Sequence, residues 1–285
     1  MGFDARVIKH GPWSVSKNDV LQRCPRQYQF KYLLKAEETS KQSASKLGVA
    51  AHYVLEVALA DPSSDLTELA EKASTKEKLT EGEGRELRTK LSAIAGFVGR
   101  IRRFKEARGV KKEIIEHKLA ITQDFEPCGF FDKRAILRGL VDHALITNDD
   151  IMVIIDHKSG RKKPIEQHST QFYAYMLMAL ANYPIAGVQC AINYVGTDAV
   201  EWFPKPNGDS GVWTISDIHR LRSWLEHTLN SCARTLTVLD NLEPGGVAPT
   251  NTNNLCGWCG YLDRCPEGQA YVEKRRSAKE EKRSL

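Results

Sequence analysis

Several features are missing from this sequence of 285 residues. It contains no run of about 18 apolar residues, which excludes a membrane-spanning helix. Its start, MGFDARVIKH, lacks the apolar stretch of a secretory signal peptide. It also lacks the Walker A sequence, so we find no motif for a nucleotide-driven motor. The formal charge is only +5, which by itself identifies no partner. We therefore expect an intracellular, cytoplasmic protein with no membrane partner.

Cysteine is sparse and unevenly distributed, with seven residues in the chain. A chain of this length buries enough core to fold without disulfides, so the cysteines are interpreted as metal ligands or buried thiols. Three of them are isolated and are predicted to be small buried hydrophobic residues or incidental thiols: Cys128, Cys190 and Cys232. The other four are unlike these. Cys256, Cys259 and Cys265 lie within ten residues, and Cys24 lies far upstream of them.

Apolar residues make up 41% of the chain and charged residues 27%, which is typical of a soluble globular protein. The predicted elements follow the order helix, strands, helix, strand, helix, which indicates an α/β fold with a mixed sheet. Ser16 or Asn18 caps the first helix, which Pro25 ends or kinks near Cys24. Predicted helices cover 14–35, 46–60, the region from the break at 61–64 to about 109, 169–182 and 215–240. Predicted strands cover 113–121, 136–146, 151–158 and 187–195.

Residues 1–273 are expected to form one domain, followed by a frayed, charged tail at 274–285. Within that domain, 61–112 is interpreted as a basic helical insertion. Residues 85–112 contain ten basic residues and two acidic ones. Such a segment is either a solvated helix face or a surface that follows the phosphates of a nucleic acid. The candidate DNA-binding residues are Arg100, Arg102, Arg103 and Lys105.

The strongest local pattern is Asp156-His157-Lys158 at the end of an apolar strand. Alternation along a strand places Asp156 and Lys158 on the same face. The turn at 148–150 predicts a hairpin that brings Asp142 beside them. Two carboxylates suit Mg²⁺ or Mn²⁺, and a nearby ammonium can orient or deprotonate water, as metal-assisted phosphodiester hydrolysis requires. The alternative is a surface ion pair, because so short a motif also matches by chance.

Four motifs in order resemble the PD-(D/E)xK nuclease superfamily, and specifically its RecB-like branch. They are GVAAHYVLE, RGLVDHALI, VIIDHKSG and QFYAY, within a resemblance that covers about residues 14–266. The first acidic motif is G-x-x-D, where the superfamily name has Pro-Asp. The resemblance implies a restriction-endonuclease-like core with a mixed central sheet.

The resemblance also implies a role for each matching residue. Asp142 and Asp156 would bind Mg²⁺ or Mn²⁺, together with the main-chain carbonyl of His157. Lys158 would position or activate the attacking water. His52 would bind metal through a neutral imidazole nitrogen, although a core histidine is the alternative.

Two residues on the predicted helix 169–182 complete the implied set. Gln171 and Tyr175 lie four positions apart, on one face of that helix. They would contact DNA or support Lys158, although Tyr175 could simply pack in the core. Glu116 is a weaker active-site candidate, since a solvated strand glutamate is equally plausible.

The arrangement of one early and three late cysteines resembles that of AddB-type and CRISPR-associated exonucleases. In those families four such cysteines hold a [4Fe–4S] cluster. Cys24, Cys256, Cys259 and Cys265 would then join segments 14–35 and 250–270. Four thiolates also suit zinc, and spacing alone does not distinguish the two.

The function implied is a metal-dependent exonuclease that cleaves DNA ends to leave 5′-phosphate and 3′-hydroxyl groups. The resemblance places it in DNA recombination, repair or CRISPR adaptation, with a separate helicase or recombination or CRISPR proteins as partners. Two alternatives remain open. One is a DNA-binding scaffold with an inactive nuclease fold, and the other is a zinc-stapled nucleic-acid binder.

Overall fold

The computed structural model describes residues 2–39, 43–197, 199–205 and 211–281, with residues 43–45 described only as backbone. The chain divides into two compact units. Of the described residues, the sheet unit comprises those within Gly11–Trp13 and Ser43–Glu226, and the terminal unit comprises those within 2–10, 14–39 and 227–281. No helix in the described ranges is long and apolar enough to cross a membrane.

A six-stranded mixed sheet forms the centre of the sheet unit, which confirms the predicted α/β class. The strand order is β1-β2-β3-β4-β5, and β6 pairs with β4. Among the strand pairs of the described residues, β3–β4 is parallel and the others are antiparallel. The strands are β1 (Val110–Thr122), β2 (Ala135–Thr147), β3 (Ile151–Lys158), β4 (Gly187–Tyr194), β5 (Val200–Trp202) and β6 (Trp213–Thr214).

Eleven α-helices are found in the described residues. They are α1 (Ala5–Lys9), α2 (Val15–Arg23), α3 (Pro25–Tyr28), α4 (Ser43–Ala60), α5 (Leu66–Glu77), α6 (Glu81–Thr89), α7 (Leu91–Arg108), α8 (Ser169–Asn182), α9 (Ile218–Asn230), α10 (Ala233–Asp240) and α11 (Pro266–Glu281). A short π-helical segment, Gln29–Leu33, follows α3.

Helices cover both faces of the sheet. Val153 and Ile155 on β3 belong to a core formed with α4, α5, α6 and α7. Because side chains alternate along a strand, Met152, Ile154 and Asp156 point to the other face. There α8, which joins the parallel pair β3 and β4, contacts the sheet. This alternation directs Asp156 toward α8.

The predicted β2–β3 hairpin is confirmed, with the pair His143↔Ile155 in register. The helix predicted at 46–60 is also present, as the greater part of α4. The segment at 61–64 is a turn, after which Asp65 caps α5 through its side chain.

Two sequence predictions about helices were wrong. Ser14, and not Ser16 or Asn18, caps α2, because its hydroxyl is the one that accepts from the Lys17 amide. The helix predicted at 215–240 is interrupted between α9 and α10. Fraying of the charged tail at 274–285 stays a prediction: residues 274–281 are exposed on α11, and 282–285 lie outside the described residues.

The terminal unit joins the two ends of the chain. Pro25 is the first residue of α3, and Cys24 has an extended backbone between α2 and α3. The Gln29 side chain donates to the Gly246 carbonyl over 2.8 Å and accepts from the Ala248 amide over 2.9 Å. The Thr39 amide also donates to the Gly260 carbonyl over 2.9 Å. Within this unit, the chain that follows Cys24 is therefore held against the segment that leads to and includes the late cysteines.

Candidate functional site

Three acidic residues lie side by side across β1, β2 and β3. The pairs Ile115↔His143 and His117↔Val141 leave Glu116 opposite Asp142. On the next strand pair, Asp142 and Asp156 come one position beyond His143↔Ile155. The sheet register therefore brings these three carboxylates to one place, as the hairpin prediction requires for Asp142 and Asp156.

Asp142 and Asp156 lie close together, with Asp156 buried and Asp142 partly exposed. Asp156 is 2% exposed. Asp142 Oδ2 accepts a hydrogen bond from the His157 amide over 2.8 Å. Burial, and then the negative charge of Asp156, raise the pKa of Asp142 to about 7. Two carboxylates in this position favour a proton or a cation between them.

Lys158 supplies the positive charge nearest to this pair. Its Nζ lies 2.7 Å from Asp156 Oδ2 and donates to Gln171 Oε1 over 3.0 Å. Alternation had placed Lys158 on the face of Asp156, and the structure has it there. The ammonium is therefore held between a carboxylate and an amide, where a water or phosphate oxygen can also reach it.

Gln171 and Tyr175 connect α8 to the carboxylates. Gln171 Nε2 donates to Asp156 Oδ1 over 2.7 Å and to the Tyr175 hydroxyl over 2.8 Å. The Tyr175 hydroxyl donates to the Leu140 carbonyl over 2.8 Å. Tyr175 is only 5% exposed, and its burial raises the pKa of its hydroxyl well above the usual range. These contacts favour a supporting role for both residues.

His52 reaches the site from α4. Burial is the largest influence on its pKa and lowers it, so the imidazole is neutral near pH 7. The imidazole also donates a hydrogen bond to the main chain of His157. The His157 carbonyl, which the resemblance implies as a metal ligand, therefore lies within reach of His52. Asp142 lies beside the same residue, because it accepts from the His157 amide.

Sequence reasoning missed Glu56, which lies four residues after His52 on α4. Glu56 and Glu116 are joined by a hydrogen bond between their carboxyl groups. Burial and the charge of Glu116 raise the pKa of Glu56 to about 7. Glu116 has φ +51°, a conformation that non-glycine residues seldom adopt. The spacing of four from His52 is the signal that would have identified Glu56.

A second set of polar side chains lies beneath His157, and sequence reasoning missed it as well. His157 and His143 are 2% and 0% exposed, with ring centroids 5.9 Å apart. His157 Nδ1 is 3.1 Å from Asn193 Nδ2, and His143 Nε2 is 3.0 Å from Glu113 Oε1. Although burial raises the pKa of Glu113, hydrogen bonds from His143 and Lys105 bring it below its usual range. These contacts fix the β3 segment that carries His157.

The donor set around Asp142 and Asp156 suits a hard divalent cation. Two carboxylates and a main-chain carbonyl are oxygen ligands of the kind that Mg²⁺ and Mn²⁺ accept. Asp156 Oδ2 is buried, and the Lys158 ammonium 2.7 Å away is its ion-pair partner. In the described part of the chain, however, no three His, Cys, Asp or Glu side chains are arranged to hold a metal ion. A metal would therefore need the carbonyl of His157 or small side-chain movements.

Metal-free protein should lose stability as pH rises, because of the Asp142 carboxyl. Its pKa of about 7 lies above the usual 3.8, so the folded state binds the extra proton between these values. Stability from this group is present at low pH and is lost as pH rises toward 7. In EDTA, Asp142→Asn should melt above wild type at pH 8, and the difference should vanish near pH 4. Each kcal/mol that the substitution adds to the free energy of unfolding should raise the melting temperature by about 2–4 °C. Equal melting of the two proteins at pH 8 would contradict the raised pKa.

The four candidate DNA-binding residues are only partly available for phosphates. Arg102 Nε donates to Glu106 over 3.1 Å, and Lys105 forms an ion pair with Glu113. The Arg100 guanidinium lies 5.7 Å from the centre of the Phe97 ring. Arg103 is exposed on α7. DNA binding by α7 stays a prediction, and Arg103 is the candidate best placed to contact a phosphate.

Salt dependence of DNA affinity tests that prediction. If Arg103 contacts one phosphate, Arg103→Gln should make the plot of log affinity against log salt concentration shallower by about 0.9. Arg102→Gln is the matched control, because Glu106 already pairs with that guanidinium, and its change should be smaller. Identical slopes in Arg103→Gln and wild type would return this helix to an ordinary solvated face.

The four clustered cysteines line one pocket of the terminal unit. Cys24 meets there the late cysteines Cys256, Cys259 and Cys265, although Cys24 and Cys256 are 232 positions apart in sequence. Burial, and then the thiols of the other three, raise the pKa of Cys259. Four thiols in one pocket fit a zinc ion or an iron–sulfur cluster held by four thiolates. In the described residues, however, these thiols are not arranged as they would be around a bound metal.

The three isolated cysteines lie elsewhere. Cys190 and Cys232 are 0% and 3% exposed, which confirms the prediction that they are buried. Cys232 Sγ also donates to Asn18 Oδ1 over 3.2 Å. Cys128 is partly exposed, so of the two alternatives predicted for it an incidental thiol is the one observed. It lies in the loop between β1 and β2, outside the packed strands.

Comparison with known proteins gives one strong match. The family model described as PD-(D/E)XK nuclease superfamily matches residues 12–266. No curated protein matches the chain. A solved structure, "Crystal structure of SSO0001", is 16% identical, covers 85% of this chain and 94% of its own, and has a TM-score of 0.31. Protein VC1899 from Vibrio cholerae is 9% identical, with coverages of 83% and 57% and a TM-score of 0.26. At these scores neither structure adds to the assignment.

Proposed function

We propose that this chain, which belongs to the PD-(D/E)XK nuclease superfamily and is therefore a nuclease, is a metal-dependent DNA exonuclease of the RecB-like branch. The observation that carries this proposal is the meeting of Asp142, Asp156 and Lys158 just beyond the paired residues of β2 and β3. Its substrate would be DNA with free ends, cleaved to leave 5′-phosphate and 3′-hydroxyl groups.

Asp142, Asp156 and the main-chain carbonyl of His157 would hold Mg²⁺ or Mn²⁺, with His52 as a further ligand. When bound, such an ion polarises a phosphoryl oxygen and lowers the pKa of a bound water. Lys158 would hold the attacking water and neutralise charge that develops on the phosphate. Its contact with Gln171 Oε1 fixes the direction of the ammonium.

Gln171 and Tyr175 would act by positioning the reacting groups. Gln171 spans Asp156 and Lys158, so it fixes the distance between the carboxylate and the ammonium. Tyr175 fixes Gln171 and is anchored to the Leu140 carbonyl. A buried tyrosine with these partners is poorly placed to contact DNA itself.

We propose that Cys24, Cys256, Cys259 and Cys265 hold a [4Fe–4S] cluster with a structural role. Their shared pocket supports the proposal, and the resemblance to AddB-type and CRISPR-associated exonucleases favours iron–sulfur over zinc. Hydrolysis moves no electrons, so the reaction itself needs no redox centre. The cluster would restrain the two ends of the chain, which meet in the terminal unit.

The proposed setting is DNA recombination, repair or CRISPR adaptation in the cytoplasm. A separate helicase or recombination or CRISPR proteins would supply the strand separation for which the sequence has no motor motif. A DNA-binding scaffold with an inactive nuclease fold is disfavoured by the intact set of Asp142, Asp156 and Lys158.

A time course on end-labelled DNA tests the exonuclease proposal. The full chain with Mn²⁺ should degrade linear strands progressively and leave a covalently closed circle of the same sequence intact. The label released first reports which end is attacked. Cleavage of the circle at the rate of the linear strand would show an endonuclease instead.

A further inference from the structure

An exposed aromatic and basic patch lies on the hairpin formed by β1 and β2. The Phe131 side chain is 78% exposed, the highest value among the large apolar side chains of the described residues. Its ring contacts that of Phe130 edge-on, with centroids 5.2 Å apart. A single exposed apolar side chain is ordinary, but these two rings form a pair with cations beside it, and that combination suits a ligand.

Two cationic side chains lie close to the faces of these rings. Lys118 Nζ lies 5.6 Å from the centre of the Phe130 ring and 5.4 Å from that of Phe131. The Arg138 guanidinium lies 5.1 Å from the centre of the Phe130 ring. Arg134, also in the loop, is paired with Asp132. Lys118 and Arg138 would therefore attract an anion, and the Phe131 ring beside them offers a surface on which a flat apolar group can stack.

Sheet register places this patch next to the candidate active site. Lys118 is paired with Leu140, and Arg138 with Ala120. Lys118 is two residues beyond Glu116 on β1, and Leu140 is two residues before Asp142 on β2. Two residues along a strand correspond to about 7 Å. The patch therefore begins about one pleat from the catalytic carboxylates.

We propose that Phe131, backed by Phe130, Lys118 and Arg138, is a stacking site for an unpaired nucleobase of the DNA strand bound at the active site. Stacking on an aromatic ring together with a nearby cation for the phosphate is how proteins hold single-stranded nucleic acid. Bases inside a duplex are already stacked on each other and offer no free face. This inference rests on the proposed nuclease function and adds a subsite to it.

Binding in EDTA, where no cleavage occurs, tests the stacking site. Fluorescence anisotropy of the full chain is measured with a labelled thymidine strand, the same strand with abasic residues, and a blunt duplex. Phe131→Ala should bind the thymidine strand about tenfold more weakly and the duplex as wild type does. Phe131→Trp should restore the affinity. Ile215→Ala, which removes another exposed apolar side chain of the sheet unit, should change nothing.

The abasic strand separates stacking from a purely structural effect. Wild type and Phe131→Ala should bind it equally, since it offers no base to stack on. Lys118→Gln and Arg138→Gln should each reduce the salt slope for the thymidine strand by about 0.7. Undiminished binding of that strand by Phe131→Ala overturns the stacking site and leaves a protein partner as the occupant of the patch.

The two proposals fail in different ways. If wild type cleaves DNA but Phe131→Ala binds single strands normally, the subsite is wrong and the nuclease stands. If Phe131→Ala shows the expected loss while wild type cleaves nothing with Mn²⁺, the subsite stands and the nuclease is wrong. If wild type binds no DNA in any form, both are wrong.

Discussion

Asp156→Asn should reduce DNA cleavage by about 10²–10⁴-fold, because it removes a carboxylate that the proposed metal needs. Asp142→Asn should have the same effect for the same reason. Asparagine keeps the shape of the side chain, so the fold should remain. The measurement is the initial rate on an end-labelled strand with saturating Mn²⁺, together with melting of each variant in EDTA.

Asp149→Asn provides a matched control. Asp149 lies in the exposed turn between β2 and β3, where its carboxylate pairs with Arg108. Its replacement should leave cleavage unchanged. Near-normal turnover by Asp156→Asn would refute the assignment of the site.

Lys158→Ala should separate water activation from metal binding. Its cleavage should fall by about 10²–10⁴-fold, as expected for the loss of a positioned acid–base group. Its Mn²⁺ binding should persist, since both carboxylates remain. Loss of Mn²⁺ binding in Lys158→Ala would show that the ammonium supports the carboxylates and not the water.

Cys24→Ala should abolish iron incorporation and loosen both ends of the chain. Wild type purified without oxygen should contain about four iron atoms and four acid-labile sulfides per chain. Three thiolates hold a cubane poorly, so Cys256→Ala, Cys259→Ala and Cys265→Ala should give the same result. The second readout is proteolysis, which should cut residues 2–39 and 250–281 faster than in wild type, because a shared cluster restrains the segments that carry its ligands.

The isolated cysteines are the controls for that experiment. Cys190→Ala and Cys128→Ala should keep full iron, since both residues lie in the sheet unit. Cys232→Ala should also keep iron, although it loses the hydrogen bond to Asn18. Full iron in Cys24→Ala, or zinc in place of iron in wild type, would refute the proposed cluster.

The fold and the paired aspartates could be predicted because they depend on local patterns. Alternation along β3 places Asp156 on the opposite face from Ile155. The turn residues at 148–150 fix the β2–β3 hairpin and thereby the position of Asp142. The apolar run on α8 likewise predicts a helix that brings Gln171 to the sheet.

Other parts of the site depend on contacts between distant segments. Glu56 has an elevated pKa because it is partly buried and because α4 places it against Glu116, which reaches it from a left-handed backbone conformation. No periodicity in the sequence encodes that conformation. His143 and Asn193 are buried polar residues whose partners come from other strands. The break between α9 and α10 was missed because the apolar spacing continues through it.

The central claim is that Asp142 and Asp156 bind the divalent ion that DNA cleavage requires. Calorimetric titration of Mn²⁺ into metal-free wild type and into the double variant Asp142→Asn/Asp156→Asn tests it most directly, with cleavage followed at the same concentrations. Wild type should bind Mn²⁺ saturably over the range in which cleavage appears, EDTA should remove both, and the double variant should lose both. Equal Mn²⁺ binding by the double variant, or cleavage by wild type that persists in EDTA, would contradict the account.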